Sequence, residues 1–339
     1  MEYVDGYTHQ TGVHCGAASL RNVAAFYDWE YSEAACFGIG GGPAFVLYDQ
    51  PDDPWVTFRT SPTWLVRAFF EHLDVPHRYG SGDDLETAWN ELLGHVDDGD
   101  PVVVFLDPDA LEYLSENERH VPPHVAVVVG YDENDGEGES EDCVSLSDPA
   151  TTDRQELSRS TFAEAWHTDE VVDLEHEYLV VTRPTTGDET DAAAAGLRGA
   201  ATYMVDPLAV KRDPRGPGEE GIPAVRSFAT YLSAWPELHE PTDPVRAAVA
   251  SIDEHGERAA YRDLFADALE ELGTGTGLGP DVAGRMATIG DEWHRLADLL
   301  SDLLEAEEPE PAHFEEAATL VGDIADREEE LFGEIADAL

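Results

Sequence analysis

GYTHQTGVHCGAASLRN, residues Gly6 to Asn22, sets a cysteine where a polar, glycine-broken lead-in turns into a helix. From Ala17 onward Leu20, Val23, Ala24 and Tyr27 recur at helical spacing, which places Cys15 in the first turn. Backbone N–H groups there carry partial positive charge, so they favour a thiolate over a thiol and can also hold an oxyanion. A free cysteine is equally a small hydrophobe that packs in a core without reacting. The nucleophilic reading demands a histidine base and a third polar group to orient that base.

The 339 residues exceed what one compact core usually holds, which favours two domains. Asp and Glu number 73 against 19 Lys and Arg, a net charge of −54. Such a chain repels nucleic acid and anionic membrane surfaces. Yet 42% of its residues are hydrophobic and seven are tryptophan, which argues for a folded protein rather than a disordered one. The acidity fits a high-salt cytoplasm, where screening shortens the range of self-repulsion. Cys15, Cys36 and Cys143 make no even framework and no CxxC pair, as in a reducing compartment. The N-terminal MEYVDGYTHQ lacks a basic and apolar leader, and no window approaches the roughly 20 apolar residues of a membrane span. The expectation is a cytoplasmic protein.

The first half mixes helices and strands. SEAACFG reads as a short helix capped by Ser32, and GIGGGPAFVLYD, Gly38 to Asp49, as a glycine-rich loop running into an apolar strand. Amphipathic stripes predict helices over Thr63 to Leu73 and Asp84 to Val96, while PVVVFL, HVAVVVGY, CVSLSD and YLVVTR read as strands. An acidic insert, Asp132 to Asp142, reads as an exposed hairpin loop. PTTGDETDAAAAG lacks apolar bulk and reads as a linker over 185–200, after a first domain over 1–184. Residues 201–339 read as a helical bundle. Its last stripe runs through Phe314, Ala317, Val321, Ile324, Leu331 and Ile335, interrupted by Glu328, and RDPRGPGEEG reads as a surface loop.

Among thirteen histidines, position selects His124, which opens the strand HVAVVVGY. Asp148 ends the strand that follows the acidic hairpin. If the two strands are antiparallel neighbours, the carboxylate fixes one ring nitrogen while the other faces the thiol. The plain alternatives are a strand-end histidine and an Asp-Pro turn. The glycine loop lacks the following helix and lysine of a phosphate cradle and is better explained by close backbone approach, to a ligand or to the Cys15 helix. His120 and His124 lack a third ligand at diagnostic spacing, so no metal site is expected.

A Cys-Gly opening a helix, a His opening a strand that ends GYD, and an Asp-Pro followed by a Phe-x-x-x-Trp helix resemble a papain-type cysteine fold, near the double-glycine leader peptidases. HCGAASLRNVAAFYDWEYSEAACFGIGGGPAFVLY more closely resembles the N-terminal domain of the butirosin biosynthesis protein H family, with its HC, its SLRN-like helix, its SEA turn and its FGxGxG loop. IDEHGERAAYRDLFADALEEL looks like the helical domain that commonly follows.

The resemblance implies an α+β, papain-like catalytic domain followed by a mainly α-helical domain. It implies an acyl or aminoacyl transferase acting through Cys15 as nucleophile, His124 as base and Asp148 as orienting acid. The donor would be an acyl-carrier-protein or phosphopantetheine thioester and the acceptor a small amine, with no cofactor. Gln10 is the candidate oxyanion group, although papain-like enzymes place that glutamine six residues before the cysteine and here the sixth is His9. His14, Gly40, Gly41 and Gly42 are the candidate substrate contacts. A cysteine peptidase or amidase differs only in donor and acceptor, and a non-catalytic binding module on the same fold is the reading from another class. The helical half either supplies a surface for donor or acceptor or makes a homo-oligomer.

Overall fold

The computed structural model describes residues 2–48, 55–82, 84–114, 123–133, 142–168, 173–210, 218–238, 241–254, 260–306 and 310–339. The chain opens with β1 (Glu2–Tyr3), α1 (Cys15–Phe26), α2 (Glu33–Ile39), β2 (Pro43–Tyr48) and β3 (Trp55–Arg59). Next come α3 (Pro62–His72), β4 (His77–Gly80), α4 (Leu85–Asp97), β5 (Val102–Leu106), β6 (His124–Asp132), β7 (Cys143–Ser147), β8 (Gln155–Ser158) and α5 (Arg159–Ala165). The short β9 (His167–Thr168), β10 (Leu174–Glu175) and β11 (Tyr178–Val181) follow. Beyond α6 (Glu189–Val205) lie β12 (Glu219–Glu220), α7 (Gly221–Ala234), α8 (Thr242–Val249), α9 (Arg262–Thr276), α10 (Val282–Glu305) and α11 (Pro311–Ala338). The architecture is α+β, with a sheet in the N-terminal part and a mainly helical C-terminal part.

Two compact units result, Met1–Cys36 with Ser61–Gly187, and Phe37–Thr60 with Asp188–Leu339. Residues 37–60, expected within the first domain, therefore fold with the helices.

In the first unit an antiparallel sheet runs in the order β4-β11-β5-β6-β7-β8, with β1 also pairing with β6. Val102 to Leu106 and His124 to Tyr131 are buried throughout. That is why both strands read as unbroken apolar runs: a strand covered on both faces has no polar side to alternate with. α1 packs on β6 and α3 and buries Gly16, Ala17, Ala18, Leu20, Val23 and Ala24, the glycine and alanines among them being small enough for close approach. Ser19 Oγ donates to the Val125 carbonyl at 3.3 Å, tying the helix to that strand.

The second unit is built on a three-stranded antiparallel sheet with β2 between β12 and β3. Phe45 meets Phe58 edge to face at 5.1 Å, and Phe58 meets Trp293 edge to face at 4.9 Å. Pairs of this kind add about 0.5–1.5 kcal/mol each beyond the area they bury. Glu328 does not interrupt the α11 stripe as a solvent-facing residue. It is fully buried and accepts from Arg262 Nε at 2.7 Å, Arg262 Nη2 at 3.2 Å and Trp293 Nε1 at 2.9 Å.

The linker expected over 185–200 is corrected by α6, which starts at Glu189. Asp188 caps it by accepting from the backbone N–H groups of Thr190 and Asp191 at 2.9 and 3.1 Å. The alanine run that lacks apolar bulk is also the strongest helix former, which outweighs its linker-like composition. Residues 134–141 of the acidic insert and residues 212–217 of the RDPRGPGEEG stretch lie outside the described residues.

Candidate active site

α1 begins at Cys15, two residues before Ala17, so the cysteine stands in the first turn as the periodicity predicts. His14 is its N-cap: the backbone is extended and ring Nδ1 accepts from the Ala17 N–H at 3.2 Å. The Cys15 thiol is half-buried and stands at the positive end of the helix.

β6 and β7 run antiparallel with Val127 opposite Ser147. Carrying that register one step further sets Asp148 opposite Ala126, diagonal to His124 on the same face, within reach of a long polar side chain. The contact is made: His124 Nε2 lies 2.8 Å from Asp148 Oδ2. The same oxygen accepts the Tyr113 hydroxyl at 2.6 Å, and Oδ1 accepts the Ala150 N–H at 2.9 Å. Asp148 also starts a turn, its carbonyl accepting from the Thr151 N–H at 3.1 Å, so the Asp-Pro turn and the histidine partner are one residue.

Asp148 is fully buried. Burial alone would raise its pKa, but the His124 charge, the His124 and Tyr113 hydrogen bonds and the Ala150 N–H together hold it below the usual carboxylate value. Burial likewise works against the His124 imidazolium. The Asp148 charge and hydrogen bond, joined by a hydrogen bond and charge from Cys15, overcome that and push His124 up to about 10. With Nε2 engaged by Asp148, Nδ1 is the nitrogen left for the thiol. The three side chains thus form one connected chain, thiol to imidazole to carboxylate, able to hold and move a proton.

The remaining candidates make no hydrogen bond to this chain of three groups among the described residues. Gln10 has an exposed side chain that makes no hydrogen bond among the described residues, whereas its carbonyl accepts from Asn22 Nδ2 at 2.9 Å. His9, at the sixth position before the cysteine, spans Ser147 Oγ at 2.8 Å and the Thr151 carbonyl at 2.9 Å. His14 is wholly buried, so its place is that of a helix cap and not of a substrate contact. Gly40, Gly41 and Gly42 are buried in the second unit. The close backbone approach is present, but its partner is α6 rather than the Cys15 helix: a Cβ on Gly196 would stand 2.3 Å from the Ile39 carbonyl oxygen.

Tyr113 escaped the sequence reading because nothing in DALEYL distinguishes its hydroxyl from any surface tyrosine. Glu33 lies in SEAACFG, where the sequence alone marks it only as an acid in the first turn of a short helix. Among the described residues no group of three or more His, Cys, Asp or Glu could hold a metal ion, and His120 lies outside them. No helix among them is long and apolar enough to cross a membrane.

Residues 14–138 match the family model described as butirosin biosynthesis protein H, N-terminal. Residues 156–335 match a second, described as a domain of unknown function, DUF4872. Cys15 and His124 lie in the first match, Asp148 lies between the two, and the second begins within β8 of the first unit. No curated protein matches the chain. The chain belongs to the family in which a butirosin biosynthesis protein H N-terminal domain is followed by a DUF4872 domain.

Proposed function

We propose that the first unit is a papain-like thiol acyltransferase working through Cys15, His124 and Asp148. The observation that supports it is the connected chain of Cys15 thiol, His124 ring and buried Asp148 carboxylate at a helix start. The resting state is a thiolate beside an imidazolium that Asp148 holds in place. Cys15 Sγ attacks the carbonyl carbon of a thioester, and its electrons move onto the oxygen. The first-turn N–H groups of α1, with Gln10, stabilise that oxyanion. Collapse breaks the bond to the donor sulfur, which leaves with the His124 proton, and an acyl-Cys15 remains. An incoming amine then attacks the acyl carbon and gives its proton to His124, and Cys15 departs as thiolate, leaving an amide.

Membership of the butirosin biosynthesis protein H family favours a carrier-protein or phosphopantetheine thioester donor and an amine acceptor over peptide hydrolysis.

The test is a panel of short acyl-phosphopantetheine and carrier-protein thioesters in molar KCl, followed by intact mass. The reading predicts an acyl increment on Cys15 that amines discharge as amide faster than water does. Cleavage of peptide substrates with the same dependence on Cys15, and no reaction with thioesters, would move the assignment to a peptidase. An adduct that survives Cys15→Ala would contradict both.

A further inference from the structure

The two short motifs SLRN and SEA have no role in the proton relay, yet their polar side chains converge on the segment that leads into Cys15. Residues 10–14 form neither helix nor strand. Arg21 Nη2 donates to the carbonyls of Gln10 at 3.1 Å and Thr11 at 2.8 Å, and Asn22 Nδ2 donates to the Gln10 carbonyl at 2.9 Å. Glu33 Oε1 accepts the N–H groups of Val13 at 2.8 Å and His14 at 2.7 Å. The clamp is closed on itself: Arg21 Nε donates to Asn22 Oδ1 at 3.2 Å and Arg21 Nη1 to Glu33 Oε2 at 3.4 Å. It is sheltered, with the Arg21 and Glu33 side chains 17% and 12% exposed and Asn22 fully buried. Gly12 fits under it, because a Cβ there would stand 2.6 Å from Glu33 Oε2. On its other side the segment is tied to the turn after Asp148, with the Gly12 N–H donating to the Pro149 carbonyl at 3.0 Å.

We propose that Arg21, Asn22 and Glu33 are positioning residues of the acyl-transfer site, fixing the backbone of residues 10–14 so that Gln10 keeps one place in the segment that runs into Cys15. This rests on the acyltransferase reading. A flexible lead-in would leave Cys15 and His124 in contact while the oxyanion group wandered. The clamp therefore acts on the step that builds an oxyanion and not on the nucleophilicity of the thiol.

Two reactions of the full chain in molar KCl separate these effects. Iodoacetamide alkylates the thiolate by displacement at a saturated carbon and builds no oxyanion. Acetyl N-acetylcysteamine acylates it through one. Arg21→Lys, which loses the planar fork, and Glu33→Ala are expected to slow Cys15 acylation on the order of 10²-fold, with alkylation at the wild-type rate. Glu33→Gln, which keeps an acceptor oxygen for Val13 and His14, is expected to restore acylation. In a Gln10→Ala background Arg21→Lys should cost nothing further. Equal loss of both reactions in every clamp variant, unchanged acylation, or an undiminished cost of Arg21→Lys without Gln10 would overturn the proposal. A wild type that alkylates rapidly but never acylates would instead remove the acyltransferase reading on which it rests.

Discussion

His124 Nε2 and Asp148 Oδ2 stand 2.8 Å apart at the adjoining ends of β6 and β7, and that oxygen also accepts the Tyr113 hydroxyl. A hydrogen bond to a buried charged group contributes about 1.5–3 kcal/mol. Tyr113→Phe is therefore expected to lower the unfolding free energy by that amount, measured by urea denaturation in molar salt. Asp148→Asn should remain folded while acylation by thioester falls by up to about 10⁴-fold, because the ring tautomer is no longer fixed. Wild-type stability in the first variant or wild-type rate in the second would show that Asp148 does not organise the site.

The pH dependence follows from the signs of the two shifts. His124 is raised to about 10, so its contribution to stability is complete below the unfolded histidine value of about 6.5 and is lost as pH rises toward 10. Asp148 is lowered, so its contribution is complete above the unfolded aspartate value of about 3.9 and is lost on acidification. The pair is thus most stabilising between about pH 4 and 6.5. Imidazole NMR should find His124 protonated well above pH 7, with its titration moved to lower pH in Cys15→Ala, which removes two of the interactions that raise it. A His124 titrating near 6.5 would contradict this.

In the second unit Glu328 and Arg262 are both fully buried. Removing one partner of such a pair costs about 3–5 kcal/mol, because the other charge is left without compensation. Glu328→Ala should therefore destabilise strongly, and the combined Arg262→Met, Glu328→Leu variant should recover most of the loss. Denaturant midpoints of the three proteins decide it. Additive losses in the double variant would mean that the two residues do not act as a pair.

With a net charge of −54, self-repulsion should dominate the response to salt. At 1 M ionic strength the screening length is about 3 Å, against about 10 Å at 0.1 M. Thermal unfolding is expected to move upward with KCl over this range and more than with sucrose. A flat response would remove the high-salt reading of the composition.

Much of the first unit was legible because its buried strands are unbroken apolar runs and its helices carry clean stripes. Register then followed from the two strand ends, which is why His124 and Asp148 were nameable together. What stayed hidden depends on partners far away in the chain. Glu328 looks like a break in a helix face until Arg262 and Trp293 are set beside it, and the glycine loop looks like a ligand loop until the backbone of α6 at Gly196 is set against the Gly38 and Ile39 carbonyls. α6 was misread because alanine carries little hydrophobicity but high helix propensity. Tyr113 has no local signal at all.

The central claim, that Cys15 is held as a thiolate by His124, is tested most directly by timing the alkylation of the three cysteines. Cys36 is fully buried, and burial together with Asp132 and Glu156 raises the Cys143 thiol. Peptide mapping after iodoacetamide treatment at pH 6 to 7 in molar KCl should find Cys15 labelled first in the wild type, with its lead abolished in His124→Ala. Labelling of Cys15 no faster than Cys143 in the folded protein, or a lead that persists without His124, would contradict the account.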